Sequence, residues 1–225
     1  MKLKPMLFHD RRDAGIHLAK ALAHLAPSHP LILALPRGGV PVAFEVARTL
    51  EAELDLLFVR KLGAPGYEEL GIGAVVDGAD PQLVLNEEVV RQLGPTPEYI
   101  RAEMRRQLAE IDRRRHVYLG DRMPIPVTGR TVIVVDDGIA TGGTIKAALK
   151  GMSKAHPARL ILAVPVAPAE VIAALREECD EVICLYEPYP FYAVGAHYVL
   201  FDQTSDEEVV RLLETAYRER SGQSA

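Results

Sequence analysis

The 225-residue sequence has little of what marks a nucleic-acid-binding, secreted or membrane protein. Its formal net charge is −5, so it has no general attraction for nucleic acid or anionic lipid, and phosphate would have to be held by local geometry. No apolar run approaches the roughly 20 residues that cross a bilayer. The first residues also lack the apolar stretch of a secretion signal. We therefore expect a cytoplasmic protein with neither nucleic-acid nor membrane partners.

Cysteine is nearly absent as well. The two thiols, Cys179 and Cys184, fall at the end of a predicted helix and inside a predicted strand. That placement is poor for a zinc site or a redox pair, so we expect reduced structural thiols. Aromatic residues make up only 6 % of the chain, which makes a local cluster of them informative.

Short apolar runs of strand length alternate with helical patterns along the chain. Because these runs lack period-two alternation, they are typical of parallel strands buried on both faces. The pattern predicts a doubly wound α/β fold with a mainly parallel sheet of about five strands flanked by helices. The predicted strands are Leu31–Leu35, Leu54–Val59, Val132–Val135, Leu160–Val164 and Glu181–Leu185. The predicted helices are Ala14–Leu25, Val40–Leu50, Gly143–Ala155 and Pro168–Cys179.

The stretch from about residue 63 to 130 breaks this rhythm. We expect it to be an insertion that forms a small hood within one domain spanning residues 1–225. Gly71–Val76 and Gln82–Leu85 indicate a hairpin, and Pro97–Tyr118 indicates a long helix. The arginines of this helix are interleaved with acids at spacings that favour surface ion pairs over a nucleic-acid surface.

The most informative stretch is VIVVDDGIATGGT, residues 132–144. Its apolar β-branched residues predict a buried strand, and the carboxyl ends of such strands are where open α/β sheets bind ligands. Asp136 and Asp137 then leave the sheet as adjacent carboxylates, which need hydroxyl donors, a cation or water. A ribose with vicinal hydroxyls offers such donors. The glycines that follow permit a tight turn of inward N–H groups at a helix N-terminus, where a phosphate monoester fits beside Thr141 and Thr144.

Two better-known phosphate loops do not match this stretch. A Walker loop would end in Gly-Lys-Ser/Thr, but the run Gly142-Gly143-Thr144 has no lysine to reach β and γ phosphates. A dinucleotide fingerprint puts its glycines directly after the strand, whereas here the acids come first.

The segment resembles the motif by which type I phosphoribosyltransferases bind 5-phosphoribosyl 1-diphosphate (PRPP), in the form closest to adenine-type members. The resemblance implies that Asp136 and Asp137 hold the ribose hydroxyls and belong to the catalytic residues. It also implies Mg²⁺, held mainly by PRPP and water and near these two acids. The loop residues that it assigns to the 5-phosphate are Gly138, Ile139, Ala140, Thr141, Gly142, Gly143 and Thr144.

Two further segments support the resemblance. ALPRGGVP, residues 34–41, is similar to the family's diphosphate loop, often crossed by a cis peptide, which assigns Arg37, Gly38 and Gly39 to the diphosphate. After the second predicted strand, Arg60 and Lys61 would place two cations at the sheet edge, where they could neutralise a leaving diphosphate. Arg37, Arg60 and Lys61 are therefore predicted to join the catalytic residues, and Lys61 also the diphosphate site. The loop that follows, residues 67–69 included, is expected to be flexible and to close over the donor.

Aromatic residues crowd the segment from about residue 186 to 206, which we expect to lie on the acceptor side. The run Phe191–Gly195 resembles the segment over the base in purine phosphoribosyltransferases, which assigns Tyr192, or second Phe191, to the acceptor. The same aromatics could equally pack a small subdomain. Ala140 stands where hypoxanthine-type enzymes carry a loop acid, so the resemblance identifies neither the acceptor nor the group that takes its proton.

The resemblance implies a transferase of nucleotide metabolism. It would move the 5-phosphoribosyl group of PRPP to a nitrogen nucleophile, a nucleobase-like acceptor, and release diphosphate. The alternative is a regulator that binds PRPP or a nucleotide on the same fold without catalysis. A regulator would be expected to lose the diphosphate cations, which this chain keeps. Analogy to the family also suggests a homodimer.

Overall fold

The computed structural model describes residues 8–222, without the side chains of Glu68 and Glu69. Its main sheet is parallel and five-stranded. The strands are β1 (Leu31–Ala34), β2 (Glu53–Leu56), β6 (Thr131–Val135), β7 (Arg159–Val166) and β8 (Glu181–Tyr186). They lie in the order β2-β1-β6-β7-β8, so the chain winds first toward one edge and then toward the other.

Helices cover both faces of this sheet. They are α1 (Arg11–Leu22), α2 (Gly39–Thr49), α5 (Gly143–Lys154), α6 (Ala169–Leu175) and α7 (Asp206–Arg220). Alternate residues of β6 belong to different apolar clusters, Ile133 with α1, α2 and α7, and Val134 with α5 and α6. A strand buried on both faces reads as a continuous apolar run, which is why periodicity predicted this sheet correctly. The doubly wound α/β fold is confirmed.

A second, antiparallel sheet fills the stretch that was expected to be an insertion. Its strands are β3 (Val59–Ala64), β4 (Tyr67–Val76) and β5 (Gln82–Leu85), in the order β3-β4-β5. It is followed by α3 (Glu87–Leu93) and α4 (Pro97–Leu119). The predicted hairpin is confirmed as β4 and β5, and the predicted long helix as α4. The sheet packs between α4 and α5.

The predicted second strand was wrong at its end. The strand stops at Leu56, and Val59 already belongs to the antiparallel sheet. The break has a clear cause, because the amide of Phe58 donates to the side chain of Asp77, 2.6 Å away, instead of to a neighbouring parallel strand. The loop expected after Lys61 is mostly strand, since β3 continues to Ala64 and β4 begins at Tyr67, with a tight turn between them.

A buried ion cluster joins the two sheets through α4. Arg115 donates to Asp55 of β2 and to Asp77 beyond the end of β4, at 2.8 Å in each case. Burial raises the pKa of Asp77 to about 6, against the opposing effect of Arg115. Because the cluster links β2, α4 and the end of β4, it holds the antiparallel sheet at a fixed place beside the main one.

The helix α7 was not predicted. It begins at the cap Ser205, whose side chain accepts from the amide of Glu208, and it buries Val209 and Leu213 against the main core. Within residues 8–222, no helix is both long and apolar enough to cross a membrane.

Candidate active site

The predicted diphosphate loop and the predicted ribose acids touch each other. β1 and β6 are neighbours, so the loop after β1 and the acids after β6 leave the same edge of the sheet. A Cβ on Gly38 would lie 2.1 Å from Asp137 Oδ2, and one on Gly39 would lie 3.0 Å from the Cα of Asp136. Only glycine permits an approach this close, so both residues are needed as they stand. The Pro36–Arg37 peptide that enters this loop is cis.

The two acids are partly buried side by side. Burial raises the pKa of Asp136 well above its ordinary value, and the neighbouring Asp137 adds to that rise. Asp136 Oδ1 accepts a hydrogen bond from the Asp137 amide at 2.9 Å. The pKa of Asp137 is also raised by burial, with Arg11 opposing the rise. Hydroxyl donors or a cation would therefore stabilise the charged form of both carboxylates. A ribose offers such hydroxyls, and a metal ion offers the cation.

Arg11 is a functional candidate that sequence reasoning missed. Its Nε donates to Asp137 Oδ2 at 2.7 Å, and its Nη1 donates to the carbonyl of Asp202 at 2.5 Å. Its guanidinium carbon also lies 3.9 Å from the centre of the Phe201 ring. The residue is 126 positions away from its carboxylate partner and belongs to no recognisable motif, so the sequence carried no signal for it.

The predicted phosphate loop ends at an open helix N-terminus. Gly142 is the N-cap of α5, with φ +78° and no side-chain cap. A Cβ there would lie 2.7 Å from Val171 Cγ1, so glycine is required for both conformation and space. Thr141 and Thr144 are exposed beside this terminus, whose first N–H groups suit an anion.

Ile139 differs from the rest of that loop because it faces the protein interior. Ile139 is buried, and its amide donates to the carbonyl of Val166 at 3.0 Å. That amide is therefore already used, and the residue anchors the loop to β7 instead of facing an anion. The geometry leaves the stretch from Ala140 to Thr144 as the part of the loop that is open to a phosphate.

The three predicted cations lie apart. Arg60 and Lys61 are inside β3, not at the edge of the parallel sheet, and successive strand residues point to opposite faces. Arg60 Nε donates to Gln107 Oε1 of α4 at 3.1 Å. Lys61 lines a cleft of about 830 Å³ that it shares with the exposed threonines of the phosphate loop. Arg37 Nη1 lies 3.4 Å from Asp206 Oδ1, at the start of α7.

The predicted acceptor segment lies against the start of the phosphate loop. A Cβ on Gly138 would be 2.5 Å from Val194 Cγ1. Phe191 stacks on the buried His197, with 5.4 Å between ring centres, whereas Tyr192 is 83 % exposed. Phe191 is thus partly committed to the local apolar cluster, and the Tyr192 ring is accessible to a ligand.

Comparison with known proteins agrees with this geometry. A family model described as a phosphoribosyl transferase domain matches residues 9–192. The chain belongs to the phosphoribosyl transferase family. The match takes in both the loop after β1 and the acids and loop after β6, so the resemblance of the motif and the fold that it implied are confirmed.

Relatives within the phosphoribosyl transferase family come from several bacteria. A Mycobacterium tuberculosis protein, provisionally named a phosphoribosyl transferase, is 49 % identical over 214 residues, which are 95 % of this chain and 48 % of that protein. An adenine phosphoribosyltransferase of the same organism is 33 % identical over 141 residues, 63 % of this chain and 49 % of that enzyme. The chain thus spans about half the length of these curated relatives.

A solved structure of a Thermus thermophilus protein is similar over nearly its full length. It is 44 % identical, with a TM-score of 0.79, and the match covers 92 % of this chain and 98 % of that one. The parallel sheet, its helices and the additional antiparallel sheet are therefore an arrangement found in a solved relative.

Proposed function

We propose that this member of the phosphoribosyl transferase family moves the 5-phosphoribosyl group of PRPP to a nitrogen nucleophile and releases diphosphate. One observation carries the proposal. The loop assigned to the diphosphate approaches the acids assigned to the ribose so closely that a Cβ on Gly38 would overlap Asp137 Oδ2. A single donor molecule with a sugar between two phosphate ends can therefore contact both loops and the open N-terminus of α5.

Each part of the donor has a matching part of the site. The amides and hydroxyls from Ala140 to Thr144 bind the 5-phosphate at the start of α5. Asp136 and Asp137 accept hydrogen bonds from the ribose hydroxyls. The diphosphate lies against the loop of Gly38 and Gly39, and because the Gly39 amide already donates to the Leu35 carbonyl, the cations Arg37 and Lys61 balance most of its charge. Of these, Lys61 shares a cleft with the phosphate loop.

The reaction needs orientation and charge control more than covalent help from the protein. The bond between the anomeric carbon and the diphosphate oxygen breaks, and its electron pair leaves with the diphosphate. The acceptor nitrogen forms the new bond to that carbon. The carboxylates of Asp136 and Asp137 lie beside the sugar, where they stabilise the positive charge that develops on it.

The acids also fit a magnesium ion, because adjacent carboxylate oxygens are ligands of the kind that Mg²⁺ accepts. Within residues 8–222, no three His, Cys, Asp or Glu side chains form a group that could hold a metal. PRPP and water would therefore supply most of the ligands. When bound, the ion would neutralise charge on the departing diphosphate.

The acceptor is proposed to be a nucleobase-like ring that stacks on Tyr192. This ring is exposed next to a segment that abuts Gly138, so an acceptor on it would lie near the sugar. No side chain is assigned to the proton that the acceptor nitrogen loses.

The test is a release assay with PRPP and Mg²⁺ against a panel of purines, pyrimidines and other nitrogen nucleophiles. We expect diphosphate release with at least one acceptor, and its loss in the Asp136→Asn/Asp137→Asn double variant. If PRPP binds but no acceptor in a broad panel releases diphosphate, the transfer reaction is wrong and the chain is a PRPP-binding regulator.

A further inference from the structure

A small pocket lined by arginines lies next to Arg37. It has a volume of about 270 Å³, and its walls come from the diphosphate loop, from the last turns of α4 and from the start of α7. The lining residues are Arg37, Arg113, Arg114, Val117, Tyr118 and Asp206. None of the residues from α4 or α7 has a part in the donor site described above.

The arginines of α4 are held in place by one acid. Glu110 accepts two hydrogen bonds from Arg113, at 2.9 and 3.0 Å, and one from Arg114 at 2.9 Å. These bonds lower the pKa of Glu110 to about 2. A shared carboxylate thus orders two guanidinium groups side by side, but it accepts only some of their N–H donors, since each guanidinium carries five.

The third arginine is held loosely. Arg37 Nη1 lies 3.4 Å from Asp206 Oδ1, which is at the upper limit for a hydrogen bond. The same Asp206 oxygen already accepts a hydrogen bond of 2.6 Å from the Tyr118 hydroxyl. Around this pocket three arginines are therefore balanced by only two acids, Glu110 and Asp206. Of these, Asp206 is largely engaged by Tyr118.

We propose that this pocket is a second anion site, separate from the donor site and bordering it through Arg37, and that it takes a small phosphorylated anion. The planar guanidinium group matches phosphate oxygens in pairs, and three of them converge here. The volume lies below the roughly 300–1,000 Å³ of sites for drug-sized ligands, so a phosphate or diphosphate fits better than a whole nucleotide. The inference does not depend on the transfer reaction.

The negative charge of Asp206 allows the direction of its effect on anion binding to be tested. Its carboxylate competes with an incoming anion for Arg37 and repels the anion's charge. Removing that negative charge should therefore strengthen anion binding, while removing charge from α4 should weaken it. A change that merely loosened the structure would not produce opposite effects at the two positions.

The experiment is a calorimetric titration of the full chain with inorganic diphosphate in the absence of magnesium. We expect two binding sites in the wild-type protein, of which one belongs to the donor loops. Arg113→Gln/Arg114→Gln should weaken the other site by about tenfold or more, since it removes the charged hydrogen-bond donors that α4 contributes. Asp206→Asn should strengthen it by about two- to fivefold, as expected for an exposed charge pair.

The matched control is Arg101→Gln/Arg105→Gln, which removes two exposed arginines of the same helix away from the pocket. Its titration should equal that of the wild type. Equal titrations of wild type and Arg113→Gln/Arg114→Gln would overturn the proposal, and so would weaker binding in Asp206→Asn. If Arg113→Gln/Arg114→Gln does not fold, Asp206→Asn decides alone.

Failure of the donor site gives a different result. In that case PRPP with Mg²⁺ does not bind. The wild type still binds one diphosphate, and that binding depends on Arg113 and Arg114. If only the second anion site is wrong, PRPP binds, and the wild type binds one diphosphate with an affinity that Arg113→Gln/Arg114→Gln does not change.

Discussion

Arg11 Nε and Asp137 Oδ2 lie 2.7 Å apart, so the first residue of α1 holds the second acid of the motif. Both side chains are largely buried, at 13 % and 14 % exposed. The same guanidinium contacts the Phe201 ring and the carbonyl of Asp202. One arginine thus connects the beginning of the chain, the ribose acids and the segment assigned to the acceptor.

Arg11→Gln should lower both stability and donor affinity. The change leaves Asp137 buried without its cation, at a cost of about 1–3 kcal/mol in the free energy of unfolding. Because the carboxylate is then no longer fixed, PRPP should also bind several-fold more weakly. Urea denaturation and calorimetry measure the two effects. Arg12→Gln is the matched control, because its partner Glu45 keeps its contact with Arg48.

Gly38→Ala should abolish PRPP binding, since the added methyl group would overlap Asp137 Oδ2 and push either the loop or the acid away. Overpacking of this kind costs about 1–3 kcal/mol of stability. Gly143→Ala controls for stability alone, because it lies in the phosphate loop but no atom of the described residues is within 4 Å of the position of its Cβ. Full donor affinity in Gly38→Ala would show that the two loops do not act together.

Asp77 should make stability depend on pH. Its pKa in the folded protein is about 6, above the ordinary aspartate value of 3.8, so its contribution to stability is complete at low pH and is lost as the pH rises through 6. A difference of about 2 in pKa corresponds to about 3 kcal/mol. Relative to Asp77→Asn, the wild type should therefore lose up to about 3 kcal/mol of unfolding free energy between pH 4 and pH 7. If the unfolding free energies of the two proteins changed equally with pH across that range, the burial of this acid would be contradicted.

Tyr192→Ala should raise the KM for the acceptor about tenfold and leave the KM for PRPP unchanged, because stacking of an aromatic ring on a base contributes about 1–3 kcal/mol. Tyr189→Ala removes a neighbouring ring that is 97 % exposed and serves as the control. Steady-state kinetics with the acceptor found in the panel gives the comparison. Equal acceptor KM values in the two variants would remove Tyr192 from the acceptor site.

The parts of the molecule that sequence predicted well are those built by local patterns. Continuous apolar runs such as that of β6 indicate strands buried on both faces, and the residues from Asp136 to Thr144 form a motif whose chemistry is contained within nine positions. The contact between Gly38 and the acids could be anticipated only in outline, from the rule that neighbouring parallel strands end at one edge.

The parts that sequence missed depend on long-range contacts. Arg11 acquires its role from Asp137, far along the chain, and Arg115 from one acid on β2 and another beyond the end of β4. The position of Arg60 was wrong because the chain changes sheets at Phe58, where a side-chain carboxylate takes over a backbone hydrogen bond. The pattern of apolar residues along the chain does not indicate where a side chain replaces a backbone hydrogen-bond partner.

The most direct test of the account is a calorimetric titration of PRPP with Mg²⁺ into the wild type and into Asp137→Asn. Asp121→Asn is the control, because it makes the same chemical change at a fully exposed position. We predict a single binding event in the wild type and in Asp121→Asn, weakened about tenfold or more in Asp137→Asn, which loses a charged hydrogen-bond acceptor. Absence of binding to the wild type, or equal affinity in all three proteins, would contradict the claim that this sheet edge holds the donor.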